Sequence, residues 1–206
     1  MVAIVLGGMA SAAHAGKFNP AVDIGDSPPA WHNLPGTDGR THSLADYADK
    51  KFVVLVFTCN HCPCALANED RIKALQDDYA ARGVQVVAIN IGLDDDDSLQ
   101  AMQQRARQRQ FNFPYLRDES QQTGRHFGAM VTPHVFVLDA QRRIVYMGAI
   151  DDSPREPALV KKHYLREALD ALLAGGRPRV AETRMFGCAI QYRASSGAAD
   201  PAEPQR

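Results

Sequence analysis

The stretch "KKFVVLVFTCNHCPCAL", residues 50–66, decides the fold. From Phe52 the chain runs apolar without alternation. A strand of that kind is buried on both faces, as in the centre of a mostly parallel sheet. At its end stand three of the chain's four cysteines within six positions: Cys59, Cys62 and Cys64, with His61 among them. Pro63 suits the first turn of a helix, where its missing N–H costs little. A strand that runs through Cys-x-x-Cys into a helix has a definite chemistry. The first thiol sits beyond the helix N-terminus, where free N–H groups and the helix dipole favour negative charge. Such a setting lowers a thiol pKa from about 8.5 to about 3.5–7.5. Two intervening residues let the second sulfur reach the first. Attack on a substrate disulfide then gives a mixed disulfide that the second thiol resolves. Cys59 is read as the attacking thiol, Cys62 as the resolving thiol, and His61 as the group that tunes them.

Outward from this centre, "ALANEDRIKALQDDYAARG" spaces Leu66, Ile72, Leu75 and Tyr79 as one helix face, closed by Gly83. "VQVVAINIG" is a second strand. "DDDDSLQAMQQRARQRQ" is a helix with acids at its start and Arg105, Arg107 and Arg109 near its end, a polarity that complements the helix dipole. The run Asp94 to Asp97 lacks the spacing of a calcium loop and is read as a solvated helix start. "FNFPYLRD" is an extended link and "ESQQTGRHFGA" a short helix. "VTPHVFVLDAQRRIVYMGAID" is two strands about a turn at Asp139 to Arg142. "HYLREALDALLAGG" is a terminal amphipathic helix with a Gly cap. The order is β-α-β-α-β-β-α, which predicts an α/β fold: a central mixed sheet, helices on both faces, an N-terminal extension and a C-terminal helix plus tail.

The whole chain sets bounds on what else it does. Its 206 residues suit one domain with appendages, and 45% hydrophobic with 23% charged residues is ordinary for a globular protein. A net charge of -1 offers no basic field for nucleic acid. "MVAIVLGGMASAAHA" is apolar, rich in small residues and ends in Ala13-His14-Ala15, so residues 1–15 are expected to be a signal peptide that lacks its basic n-region. It is too short to span a bilayer. The domain is expected over 16–175, an extended tail carrying Cys188 over 176–193, and a disordered tail over 194–206. The expected compartment is the periplasm or another exported, disulfide-permissive space.

The segment from about Ile24 to Asp152 resembles the thioredoxin superfamily, and within it the redoxin, peroxiredoxin-like branch. "IGDSPPAW", "DGRTHSLADY", "FVVLVFTCNHC" and "VTPHVFVLD" carry the resemblance. It implies a thioredoxin-like fold and thiol–disulfide oxidoreductase activity. It also implies a cis bond at Thr132-Pro133 facing the cysteines, with these two residues forming the edge that binds substrate. No cofactor is implied. The implied partners are a protein or small-molecule thiol or disulfide, and a membrane electron donor. Neither nucleic acid nor membrane embedding is expected.

The alternatives differ in specific residues. A peroxidatic cysteine of the family follows Thr after two residues, with Pro ahead. Val56 stands there relative to Cys59, so disulfide exchange is favoured over peroxide reduction. A copper carrier would use Cys59, Cys62 and His134, but its cysteines are spaced CxxxC. Zinc would need four ligands, and Cys59, His61, Cys62 and Cys64 crowd a tetrahedral site. Cys64 reads as a small buried hydrophobe or an alternative partner. Cys188 reads as a third redox thiol, a structural partner of Cys64 or a packed free cysteine; the distance between them decides. Asp151-Asp152 reads as an exposed turn, and Trp31 as packing.

Overall fold

A computed structural model describes residues 15–194. The expected leader and the expected disordered tail lie outside the described residues, except Ala15 and Ala194. Five strands form the central sheet: β1 (Phe52–Thr58), β2 (Val84–Asn90), β3 (Tyr115–Arg117), β4 (His134–Leu138) and β5 (Ile144–Gly148). Their order is β3-β2-β1-β4-β5. The first three are parallel, β4 is antiparallel to β1, and β5 is antiparallel to β4. The helices are α1 (Pro63–Leu66), α2 (Glu69–Tyr79), α3 (Leu99–Arg109), α4 (Gln122–His126) and α5 (Tyr164–Leu173).

Two cores explain the unbroken apolar run. Val54 and Val56 face Ile72, Leu75, Met102 and Leu165 from the longer helices. Val53, Leu55 and Phe57 face Trp31, Leu44, Tyr47 and Phe127 on the other side. Period-two geometry sends alternate residues to opposite faces, and both faces are covered. Each such side chain contributes about 1.5–3 kcal/mol relative to exposure. Trp31 lies in this second core, as its packing role requires.

Three features depart from expectation. The link at residues 111–118 contains β3, which pairs with β2 from Ala88↔Tyr115 to Asn90↔Arg117. Such a short strand gives little periodicity to read. The helix after the cysteines is broken, because Asn68 Nδ2 donates to the carbonyls of Cys64 and Pro154, both at 2.8 Å. A side chain that bonds local backbone competes with helix continuation. Asp151 is not exposed: it is buried, and Arg71 Nη1 donates to its two oxygens at 2.6 and 2.8 Å.

The topology places the site. Thr58, Asn90 and Arg117 end the three parallel strands in register. β4 runs the other way, so its first residue, His134, pairs with Phe57. Residues 59–62, 91–97 and 130–133 therefore meet at one sheet edge, outside the carboxyl ends of the parallel strands. Open α/β sheets place their sites there.

Candidate active site

Cys59 follows β1 directly and Cys62 caps α1 with extended backbone (φ -76°, ψ 119°). Pro63 enforces that geometry, since the residue before proline is pushed out of the helical region. Both sulfurs are buried, and all four cysteines are free thiols. The helix that follows is only four residues long. Its macrodipole is correspondingly small, so the electrostatics come from local groups rather than from the long helix expected.

Across the site, the Thr132–Pro133 peptide bond is cis. The Thr132 hydroxyl lies 3.2 Å from Cys59 Sγ, and Cys62 Sγ donates to the Thr132 carbonyl at 3.1 Å. One residue thus touches both sulfurs. The edge that the resemblance assigns to substrate is already paired: Cys188–Ala189 lies antiparallel to Val131–Thr132.

The two residues between the cysteines are held by the loop after β2. Asn60 N donates to Asp97 Oδ1 at 2.7 Å, Asn60 Nδ2 to the Asp96 carbonyl at 2.7 Å, and Tyr115 Oη to Asn60 Oδ1 at 2.8 Å. His61 Nδ1 lies 2.7 Å from Asp97 Oδ2, and its Nε2 lies 3.7 Å from Cys59 Sγ. The carboxylate accepts the Nδ1 proton and leaves Nε2 toward the sulfur. Asp97 is fully buried and also accepts from Asn90 Nδ2 at 2.9 Å. This corrects the reading of Asp94 to Asp97 as a solvated helix start: α3 begins at Leu99, and Asp97 turns inward. Asp94 and Asp97 stand three apart, as in a capping box, and Asp94 N donates back to Asp97 Oδ2 at 3.3 Å. That spacing was the only trace of Asp97 in the sequence.

The sulfurs ionise as a pair. The Cys59 thiol donates to Cys62, which raises Cys59 well above the ordinary thiol range, and burial adds to the rise. The same contact draws Cys62 down to about 4, helped by Cys188 and Thr132. Cys62 is therefore the more readily ionised sulfur of the pair, whereas the sequence alone points to Cys59. Access runs the other way. A cleft of about 50 Å³, lined by Cys59, His61, Gly92, Asp94, Thr132 and Ile190, reaches Cys59 but not Cys62.

Beneath this layer, Cys62, Cys64 and Cys188 lie with their sulfurs within 4.8 Å of one another. Cys64 is buried and takes a hydrogen bond from Arg155 Nε at 3.3 Å. This trio, and the set Cys59, His61 and Asp97, are the groupings with metal-ligand spacing among the described residues. His134 joins neither. It is buried with its ring against Phe136 (centroids 4.5 Å apart), and burial pushes its pKa down to about 3, so the ring is neutral. The copper set Cys59, Cys62 and His134 is not assembled.

The Redoxin family profile matches residues 15–162, and the chain belongs to that family. An uncharacterized conserved protein from Geobacillus kaustophilus is similar in structure at 31% identity, TM-score 0.79, covering 91% of this chain and 100% of the other. A hypothetical protein from Sinorhizobium meliloti 1021 is similar at 30% identity, TM-score 0.78, covering 86% and 98%. A protein from Chlorobium tepidum, named for thiol:disulfide interchange (DsbE), is similar at 28% identity, TM-score 0.59, covering 73% and 98%. Among curated proteins none matches. Family and neighbours together mark a thioredoxin-fold protein of redox chemistry. No helix among the described residues is long and apolar enough to cross a membrane.

Proposed function

We propose that this chain is an exported thiol–disulfide oxidoreductase in which Cys59 attacks and Cys62 resolves. The observation that carries the reading is the setting of Cys59, the sulfur the cleft reaches, between His61 Nε2 and the Thr132 hydroxyl, with Asp97 behind the imidazole. His61 takes the proton that Cys59 holds at rest, and Asp97 fixes the ring in the tautomer that can accept it. The Cys59 thiolate attacks a substrate disulfide, a bond forms from Cys59 to one substrate sulfur, and the other leaves and takes the proton from His61. Cys62, the more readily ionised thiol, gives its proton to solvent, attacks the Cys59 sulfur and expels the second substrate thiolate. The products are a Cys59–Cys62 disulfide and two reduced substrate sulfurs.

Mixed-disulfide trapping tests this. Cys62→Ala is expected to hold a substrate covalently at Cys59, and Cys59→Ala to hold none. Trapping at Cys62 alone would overturn the assignment of roles. A protein or small-molecule thiol partner and a membrane electron donor complete the reading. Recovery of the chain from an exported fraction with residue 16 as its N-terminus tests the localisation.

A second reading, thiol peroxidase, is favoured by one observation. Peroxide chemistry needs a hydroxyl beside the thiolate, and Thr132 supplies it at 3.2 Å from across the site. The cleft at Cys59, about 50 Å³, admits a molecule of water or peroxide size. Peroxide consumption that requires Cys59 separates the two readings.

A further inference from the structure

Cys188 reaches the sulfur centre from the far end of the chain, and the approach is built rather than incidental. Cys188 stands opposite Thr132 in the two-residue pairing with Val131–Thr132. Residues on either side fasten it. Ile190 N donates to the Met130 carbonyl at 2.9 Å, Gln121 Nε2 to the Gln191 carbonyl at 2.8 Å, and Tyr192 Oη to the Ala129 carbonyl at 2.7 Å. The Arg125 guanidinium lies 4.5 Å from the centre of the Tyr192 ring. Gly187 passes so close to Thr132 that a Cβ there would stand 2.2 Å from its carbonyl oxygen. Only glycine allows that approach. The Cys188 sulfur consequently lies within 4.8 Å of the sulfurs of both Cys62 and Cys64.

We propose that Cys188 is the third thiol of the redox centre, moving the disulfide from Cys59–Cys62 to Cys62–Cys188. The inference rests on Cys59 and Cys62 being the primary pair. The step is an exchange that needs no outside oxidant. Cys188 gives its proton to solvent and attacks Cys62 Sγ. The Cys62–Cys188 bond forms, the Cys59–Cys62 bond breaks, and Cys59 leaves as a thiolate that takes a proton from solvent. One disulfide and one thiol stand on each side of the reaction.

Exposure gives the exchange a purpose. Cys59 and Cys62 are buried, while Cys188 is only half-buried. The transfer frees Cys59 in its cleft and carries the oxidised bond to a sulfur that an external dithiol reaches. That dithiol attacks Cys188 Sγ and expels Cys62. A thiol of low pKa leaves fastest, and the Cys59 thiol and Thr132 draw Cys62 down. Oxidising equivalents thus enter at Cys59 and leave through Cys188. Arg155, bonded to Cys64, keeps that neighbouring sulfur engaged elsewhere.

The test uses the full chain, oxidised in glutathione buffers of graded ratio, acid-quenched, alkylated and mapped by mass spectrometry. Both Cys59–Cys62 and Cys62–Cys188 peptides are expected in the wild type. Cys188→Ala should retain only the first. Cys59→Ala should still form the second, and Cys64→Ala should leave the balance unchanged. Gly187→Ala should lose the Cys62–Cys188 peptide at unchanged Cys59–Cys62 yield, with its melting temperature recorded to confirm a folded domain. A wild type that forms Cys59–Cys62 while Cys188 stays free at every ratio overturns the relay and leaves the primary pair standing. Cys188 found only with Cys64 also overturns it. If neither disulfide of Cys62 forms, the primary pair falls and the relay falls with it.

Discussion

His61 Nδ1 is held 2.7 Å from Asp97 Oδ2, which turns the opposite ring nitrogen toward Cys59. A buried carboxylate, an imidazole and a sulfur therefore lie in one line of contacts. Because Cys59 is held above the ordinary thiol range, it needs a base to react at neutral pH. His61→Ala is expected to slow exchange at Cys59 by about 100-fold or more. The lost rate should return as pH rises, since Cys59 then ionises without help. Stopped-flow rates across pH check this; a pH-independent loss would point to a structural role instead. Asp97→Asn should move the rate in the same direction. It should also cost about 1–3 kcal/mol of stability, because an amide cannot accept from Asn60, Asn90 and His61 together.

Thiolate absorbance in the ultraviolet reads the charge on the sulfur pair. One sulfur should be ionised at neutral pH, and the signal should disappear as pH falls through about 4. Cys59→Ala should raise that midpoint most, because the Cys59 thiol is the principal donor to Cys62. Cys188→Ala should raise it less, as the weaker donor. A midpoint unmoved by Cys59→Ala would show that the two sulfurs do not share a proton.

Thr132→Val removes the hydroxyl at Cys59 and keeps the carbonyl that faces Cys62. Loss of one such bond is worth about 1 kcal/mol, near a fivefold change in rate. If the chain consumes peroxide, that activity should suffer more than disulfide exchange, since the lost hydroxyl stands 3.2 Å from Cys59 Sγ. Parallel assays of the two activities on one preparation decide the point. Equal losses would leave Thr132 a role in the ionised sulfur alone.

Gly92 borders Asp97 so closely that an added Cβ would stand 2.0 Å from Oδ2. Gly92→Ala should displace the carboxylate and destabilise the domain by about 1–3 kcal/mol in urea unfolding. Its kinetic defect should match that of Asp97→Asn. A variant with wild-type rates and stability would show that the carboxylate is not held beneath the Cys-x-x-Cys turn.

Half-buried Arg71 and buried Asp151 form an ion pair between α2 and the segment after β5. Asp151→Ala leaves a half-buried guanidinium without its carboxylate, with only the Ser153 carbonyl still accepting from it, and should cost about 1–3 kcal/mol. The double variant Arg71→Met, Asp151→Ala should recover part of that loss, because no partly desolvated charge then stands without its partner. Chemical denaturation of the three variants measures the coupling. No change on Asp151→Ala would mean that Arg71 finds water or another acceptor.

The sequence by itself determined what depends on neighbours along the chain. An apolar run without alternation identified β1 as a strand covered on both faces. Cysteines at its end, with proline next to the second, fixed the strand–turn–helix junction, since proline extends the residue before it and starts a helix after it. Family likeness added Thr132-Pro133. Only the tertiary structure decided how the centre works. Asp97 lies 36 residues from His61 and Thr132 lies 73 from Cys59. Sheet register brings those pairs together, and no local pattern encodes it. The same holds for the sulfurs' acidity: Cys62 ionises more readily because Cys59, Cys188 and Thr132 converge there. A run of four aspartates reads as solvated wherever nothing packs on it. Here the loop after β2 folds its last member under the Cys-x-x-Cys turn, because buried N–H groups of Asn60 and Asn90 need an acceptor and Asp97 supplies it.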